Sequence, residues 1–270
     1  MTNNTGLCKK CKKRKFELNQ GIVCQLTNQK PNYADNCLDF ENDDSIIEYQ
    51  GHALKSNEKR SSILLSIIWL VLALEIISVI SGGMQYNLLQ TISNGEEVTY
   101  EAINGNDLRE LTIGIIYIIA FIVSGITFIM WFRRAYYNLH QKVENLSYTD
   151  GWAAGSWFIP FVNLYRPFQI MQELYVETRK YLTDKDVSAQ FNLSTKFVGF
   201  WWALWIINGI TGQIILSYSR SADTMSDMIT VTALGIAGGL IGIILGILTI
   251  KVIKDYSRAE GLLIMNDLYK

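Results

Sequence analysis

The chain has 270 residues, is 49% hydrophobic and carries a formal net charge of −1. These totals hide a segregation: residues 1–60 are polar and charged, and most apolar residues lie beyond Ser61. A chain so divided is not one evenly patterned soluble domain, and its near-neutral total says less about partners than the local distribution does.

The N-terminus, MTNNTGLCKKCKKRKF, has bases but no apolar stretch behind them, so no cleaved signal is expected. All four cysteines lie in this head, residues 1–40: Cys8, Cys11, Cys24 and Cys37. Cys8 and Cys11 form a CxxC pair, which lets two thiolates chelate one ion from a tight turn; Cys24 and Cys37 complete a tetrahedral set. Four soft sulfur ligands favour zinc, and the bases at Lys9, Lys10, Lys12, Lys13 and Arg14 favour thiolates. The second pair lacks a CxxC, so the pattern is zinc-ribbon-like rather than a regular ribbon. Two disulfides or free thiols are the alternatives. A closed four-cysteine site has a structural role. The run KKCKKRK fits anionic lipid better than nucleic acid, since Phe16 is the only aromatic close to it. Residues 41–61 read as a polar linker.

Residues 62–254 form the membrane domain. Four stretches have the length and hydropathy of spans: 63–81, 111–132, 197–218 and 229–253. Lys55, Lys59 and Arg60 precede the first, and Arg133, Arg134 and Lys142 follow the second. Arg166, Arg179, Lys180, Lys185 and Lys196 precede the third, and Lys251, Lys254 and Arg258 end the fourth. The connection between the first two spans is acidic apart from Arg109. Four spans with both termini inside satisfy the positive-inside rule at every loop. The expected location is therefore a membrane with both termini on its cytoplasmic side, with 255–270 as a cytoplasmic tail.

Between the second and third spans, Gly151–Phe168 reads GWAAGSWFIPFVNLYRPF. It is apolar but too short to cross comfortably, and Pro160, Asn163 and Arg166-Pro167 interrupt it. Residues 152–167 are expected to re-enter or lie in the inner interface, with a short fifth span as the alternative. In 168–182, Phe168, Met171, Leu174, Tyr175, Thr178 and Leu182 recur at helical spacing. This is an amphipathic helix that either lies on the membrane or packs on the bundle. Phe197, Phe200, Trp201, Trp202 and Trp205 fit an interfacial aromatic belt. Gly235, Gly238, Gly239, Gly242 and Gly246 let helices approach, within the chain or in a homo-oligomer.

The stretches WFRRAYYNL (131–139), GWA (151–153), WFIP (157–160) and NLYRPFQ (163–169) resemble a bacterial membrane family, the domain of unknown function 4328 family. Its members carry RAxxNL followed by GWAxxxWFxPxxNLxRPxQ, and the resemblance covers roughly residues 60–255. Leu139-His140-Gln141 stands where the family tends to have Leu-Gly. The head is similar, more loosely, to short N-terminal cysteine modules of bacterial proteins. The resemblance implies a multi-span protein and names no reaction.

Glu75 is the one carboxylate inside an expected span, near the bilayer midplane, with Tyr117, Asn208 and Gln213 as possible partners. Arg134, Asn138, Asn163, Arg166, Gln169 and Glu173 are the polar members of the motif region. Spacing places Asn163 near Arg166 and Gln169 near Glu173 on a helix. They either pin the broken segment or bind an anion such as a phospholipid headgroup. No HExxH, GxSxG, phosphate-cradling glycine loop or dinucleotide fingerprint occurs, and His52 and His140 are isolated and expected to be solvated.

The fold expected is all-α and polytopic: four transmembrane helices plus a re-entrant or interfacial segment, behind a small zinc-stapled head. The function expected is a non-enzymatic scaffold or sensing module whose cytosolic head docks a protein partner. The alternative is a small transporter or channel using Glu75 and the surroundings of Arg166, and a lipid-handling enzyme is a distant third.

Overall fold

The structure, a computed structural model, describes residues 11–17, 21–29, 37–41, 43, 54–185 and 193–268. The chain divides into two compact units, Met1–His52 and Ala53–Lys270.

In the first unit, β1 (Arg14–Glu17) pairs antiparallel with β2 (Gly21–Cys24), Arg14 opposite Cys24. An all-α description therefore covers only the second unit. The β-branched pair Ile22-Val23 suits a strand. The Lys12 N–H donates to the Glu41 carbonyl at 2.8 Å, and Arg14 pairs with Asp43 at 3.2 Å, tying the later residues to the hairpin.

The second unit consists of α1 (Glu58–Ser93), α2 (Tyr100–His140), α3 (Asp150–Gly155), a 3-10 turn (Val162–Leu164), α4 (Arg166–Thr183), α5 (Thr195–Ser219) and α6 (Met225–Leu268). Among the described residues four helices, α1, α2, α5 and α6, are long and apolar enough to cross a membrane. They run well past the expected spans. The 41 residues of α2 extend about 60 Å, against roughly 30 Å of hydrocarbon. Helical hydrogen bonding continues as readily in water as in lipid, so the apolar limits of a span are not its helical limits.

The helices alternate in direction. Asn57, just before α1, donates to the Trp131 carbonyl near the end of α2 at 3.1 Å. Trp201, near the start of α5, donates to Thr249 of α6 at 2.9 Å. The start of α1, the end of α2, the start of α5 and the end of α6 thus share one end, which carries nearly all the bases of this unit. The opposite end holds the acidic α1–α2 connection. Residues 141–194 leave α2 and enter α5 at the basic end, so they add no fifth crossing.

Helix α1 packs mainly on α6 and α2, and α5 mainly on α6. The close contact of α1 with α6 is made by glycines. A Cβ on Gly239 would stand 2.6 Å from Val79 Cγ2, and one on Gly242 would stand 2.7 Å from Glu75 Oε1. Gly238 approaches Ile215 of α5 in the same way. The small-residue stripe therefore serves packing within the chain.

The core lies at the basic end rather than in the middle of the spans. Trp157, from the interrupted segment, wedges between Phe128 and Phe132 of α2 and Trp202 and Trp205 of α5, at centroid distances of 5.6–6.3 Å. Trp201 and Trp202 are buried, so these two belong to the protein core rather than to an interfacial belt, while Phe200 is exposed. Helix α4 buries Ile170, Met171, Leu174, Tyr175, Thr178 and Leu182 against the bundle. Tyr175 donates to the Val252 carbonyl at 3.0 Å, and Thr178 bonds Tyr256 at 3.3 Å. Of its two sequence readings, α4 takes the bundle-packed one: protein, not lipid, covers its apolar face.

Gly239→Ala is expected to destabilise the bundle by about 1–3 kcal/mol, because Val79 is stiff at χ1 and cannot swing away. Gly235→Ala, with nothing within 4 Å of the added methyl, is expected to be neutral. Thermal unfolding of the two variants in detergent measures the difference.

Candidate functional site

The motif residues fall into two clusters at the basic end. In the first, Asn138 is fully buried on α2 and accepts from the Lys55 N–H at 3.1 Å while donating to the Lys55 carbonyl at 2.8 Å. It also donates to Glu260 Oε1 at 2.7 Å. Asn57 donates to Glu260 Oε2 at 3.0 Å. Glu260 is 2% exposed. A carboxylate so buried needs donors, and two asparagines supply them. Nothing in the sequence analysis singled out Glu260 or Asn57. The available signal was an acid on the same α6 face as Tyr256 and Leu263.

In the second cluster, Glu173 of α4 accepts from the Tyr136 hydroxyl at 2.5 Å and from the Ser147 N–H at 2.7 Å. Tyr148 donates to Gln169 at 3.1 Å, and the His140 ring bonds the Tyr148 carbonyl at 2.8 Å. The expected local pairings give way to these longer-range ones: Gln169 and Glu173 take tyrosines of the 136–148 stretch as partners. His140 is half-buried against Tyr136 rather than solvated. His52 lies outside the described residues. Arg134 lies over the Tyr137 ring at 5.8 Å. Asn163 sits in the 3-10 turn, and the Arg166 guanidinium lies over three rings, those of Tyr148, Trp152 and Tyr165. Burial holds the Glu173 carboxyl above the usual carboxylate range, against the pull of Tyr136 and Ser147 in the other direction.

Glu75 lies apart from both clusters, mid-way along α1, in the space left by Gly239 and Gly242. Of its three possible partners, Tyr117 reaches its carboxyl.

In the head, Cys11, Cys24 and Cys37 are free thiols around one small cavity. Each opens a tight turn: their carbonyls accept from the Arg14, Asn28 and Phe40 N–H groups at 3.3, 2.8 and 3.2 Å. The Leu26 N–H, directed at Cys24, holds that thiol below its ordinary value. Cys8 lies outside the described residues. Among the described residues no three ligating side chains are gathered closely enough to hold a metal. The donor chemistry fits a thiolate metal site, and the geometry is not that of a closed one.

The sequence pattern of a domain of unknown function, DUF4328, matches residues 94–258. The chain belongs to the DUF4328 family. No curated protein and no solved structure matches it. The DUF4328 region spans α2 through most of α6 and holds both polar clusters except Lys55, Asn57 and Glu260. Helix α1, with Glu75, and the cysteine head lie outside it.

In the DUF4328 region, then, Asn138, Gln169 and Glu173 hold backbone and neighbouring helices in place. Asn138→Leu leaves Glu260 buried with one donor fewer, and a loss of about 2–4 kcal/mol is expected. Glu260→Leu alone is expected to be milder, and a double-mutant cycle read by thermal unfolding isolates the pair. Glu173 gives a pH signature. Its native pKa is raised above the ordinary 4.5, so its contribution is complete below that value and is lost as pH rises through the raised one. Glu173→Gln is expected to flatten this fall in the melting temperature with pH.

Proposed function

We propose that the protein is a non-enzymatic scaffold or sensing module of the bacterial inner membrane, with its basic end and both termini in the cytosol. Its head, stapled by zinc on Cys8, Cys11, Cys24 and Cys37, docks a protein partner. The observation that carries this reading is how the motif's polar chemistry is spent: Asn138, Gln169 and Glu173 bond Lys55, Glu260, Tyr148, Tyr136 and Ser147, as pins rather than as an open reacting centre. The bases gathered at one end support the orientation. The three cysteines around one cavity and the thiolate-favouring turn at Cys24 support the staple.

A second reading, a small transporter or channel, is favoured by one observation: α6 leaves glycine-shaped room for the Glu75 carboxyl mid-way along a membrane-length helix. Proton or cation flux into liposomes that is lost in Glu75→Gln supports that reading, and the absence of flux favours the scaffold.

Metal analysis of the full chain purified under reducing conditions is expected to give about one zinc per chain. Cys24→Ser is expected to lose it and lower the head's resistance to proteolysis. A metal-free wild-type protein would overturn the zinc staple.

A further inference from the structure

Arg166 differs from Arg133, Lys251 and Arg60, whose side chains have a carboxylate or carbonyl partner. Arg133 pairs with Asp150 at 3.4 Å, Lys251 with Asp255 at 2.7 Å, and Arg60 donates to the Met130 carbonyl at 2.9 Å. Arg166 lies 4.4 Å from the Tyr148 ring centroid, 5.4 Å from Tyr165 and 5.6 Å from Trp152. Its Nε is buried and has no hydrogen-bond partner, and no described carboxylate pairs with it. Rings hold the cation in place and partly strip its water without neutralising it. A guanidinium in that state is prepared for an oxyanion that can take two of its N–H groups at once.

The neighbouring surface says which oxyanion. The turn before Arg166 projects apolar side chains outward: Phe158 is 75% exposed, Phe161 81% and Leu164 50%. Phe161 holds a left-handed φ of 63°, a conformation uncommon for a bulky residue, which turns the chain sharply between Pro160 and the 3-10 turn. The turn is fastened to the membrane-length helix α5, because Trp202 donates to the Leu164 carbonyl at 3.1 Å. Beyond that joint, α2 and α5 hardly touch, and the second half of α5 has no buried residue. A ligand with a phosphate at one end and long apolar chains at the other matches this arrangement; a free anion matches only the arginine.

We propose that Arg166 is the headgroup site of an anionic phospholipid, its phosphate on the guanidinium and its acyl chains along Phe158, Leu164 and the gap between α2 and α5. The site rests on the membrane reading and is independent of the zinc head, so metal analysis and the lipid test fail separately.

The test is thermal unfolding of the full chain in neutral detergent with added phosphatidylglycerol, phosphatidylcholine or inorganic phosphate. Phosphatidylglycerol at a hundredfold excess over its dissociation constant is expected to raise the midpoint by about 5 °C, and the other two to leave it in place. Arg166→Gln is expected to abolish the rise, Arg166→Lys to keep a reduced one, and Arg133→Gln to keep all of it. Lysine retains the charge without the fork, so this variant reports on the site even where glutamine prevents folding. An equal rise with phosphatidylcholine, a rise reproduced by inorganic phosphate, or an unchanged response in Arg166→Gln and Arg166→Lys would each overturn the proposal.

Discussion

Everything at the basic end depends on Trp157 standing between α2 and α5. These two helices are the outer members of the row α2–α1–α6–α5, and they meet directly only at a few points such as the Phe128–Trp201 ring contact at 6.2 Å. The indole meets Phe128 and Phe132 on one side and Trp202 and Trp205 on the other. Its N–H donates to the Ala153 carbonyl at 3.1 Å, so the ring is fixed in its own short helix as well as in the gap. Large flat rings suit this role because each presents a wide apolar area with few rotors to immobilise. The chain must break as a helix around Pro160 for the wedge to be inserted from the end rather than along the bundle axis.

That arrangement explains where the polar motif residues lie. An interrupted, buried backbone leaves carbonyls and N–H groups without helical partners, and each must be met by a side chain or by water. The Leu164 carbonyl is met by Trp202, the Ser147 N–H by Glu173, and the Lys55 amide by Asn138. The spans themselves carry less: only 11–22% of their most apolar windows is buried within the protein. Their cohesion comes from glycine-mediated approach of α1 to α6, with lipid covering the remaining faces. Stability is thus concentrated in the aromatic cap, while the spans are left with wide lipid-facing surfaces.

The legible part of this fold was the part governed by one-dimensional rules. Apolar run length located the four spans, and the distribution of bases predicted that residues 141–194 return to the end they left. What hydropathy does not encode is which side of an apolar helix meets protein. Trp201 and Trp202 read as a belt because a tryptophan near a span end satisfies that description whether it faces lipid or a neighbour. Glu173 and Gln169 read as a local pair because helical spacing is visible in a sequence and the approach of Tyr136 and Tyr148 is not. Glu260 escapes notice for the same reason: a single acid among Lys254, Asp255 and Arg258 looks like part of a solvated tail until α6 is seen to continue past it, with Glu260 bonded to Asn138 of α2.

The joint around Glu260 also fixes the chain ahead of α1. Asn138 holds both backbone groups of Lys55, and Asn57 bonds the Trp131 carbonyl and Glu260 together. These contacts fix the chain to the bundle one to three residues before α1 begins. The DUF4328 match begins only at Asn94, yet its Asn138 is the residue that receives the segment preceding α1. The family's motif region is thereby bonded to the residues just ahead of α1, to Lys55 through Asn138 and to Asn57 through the Trp131 carbonyl.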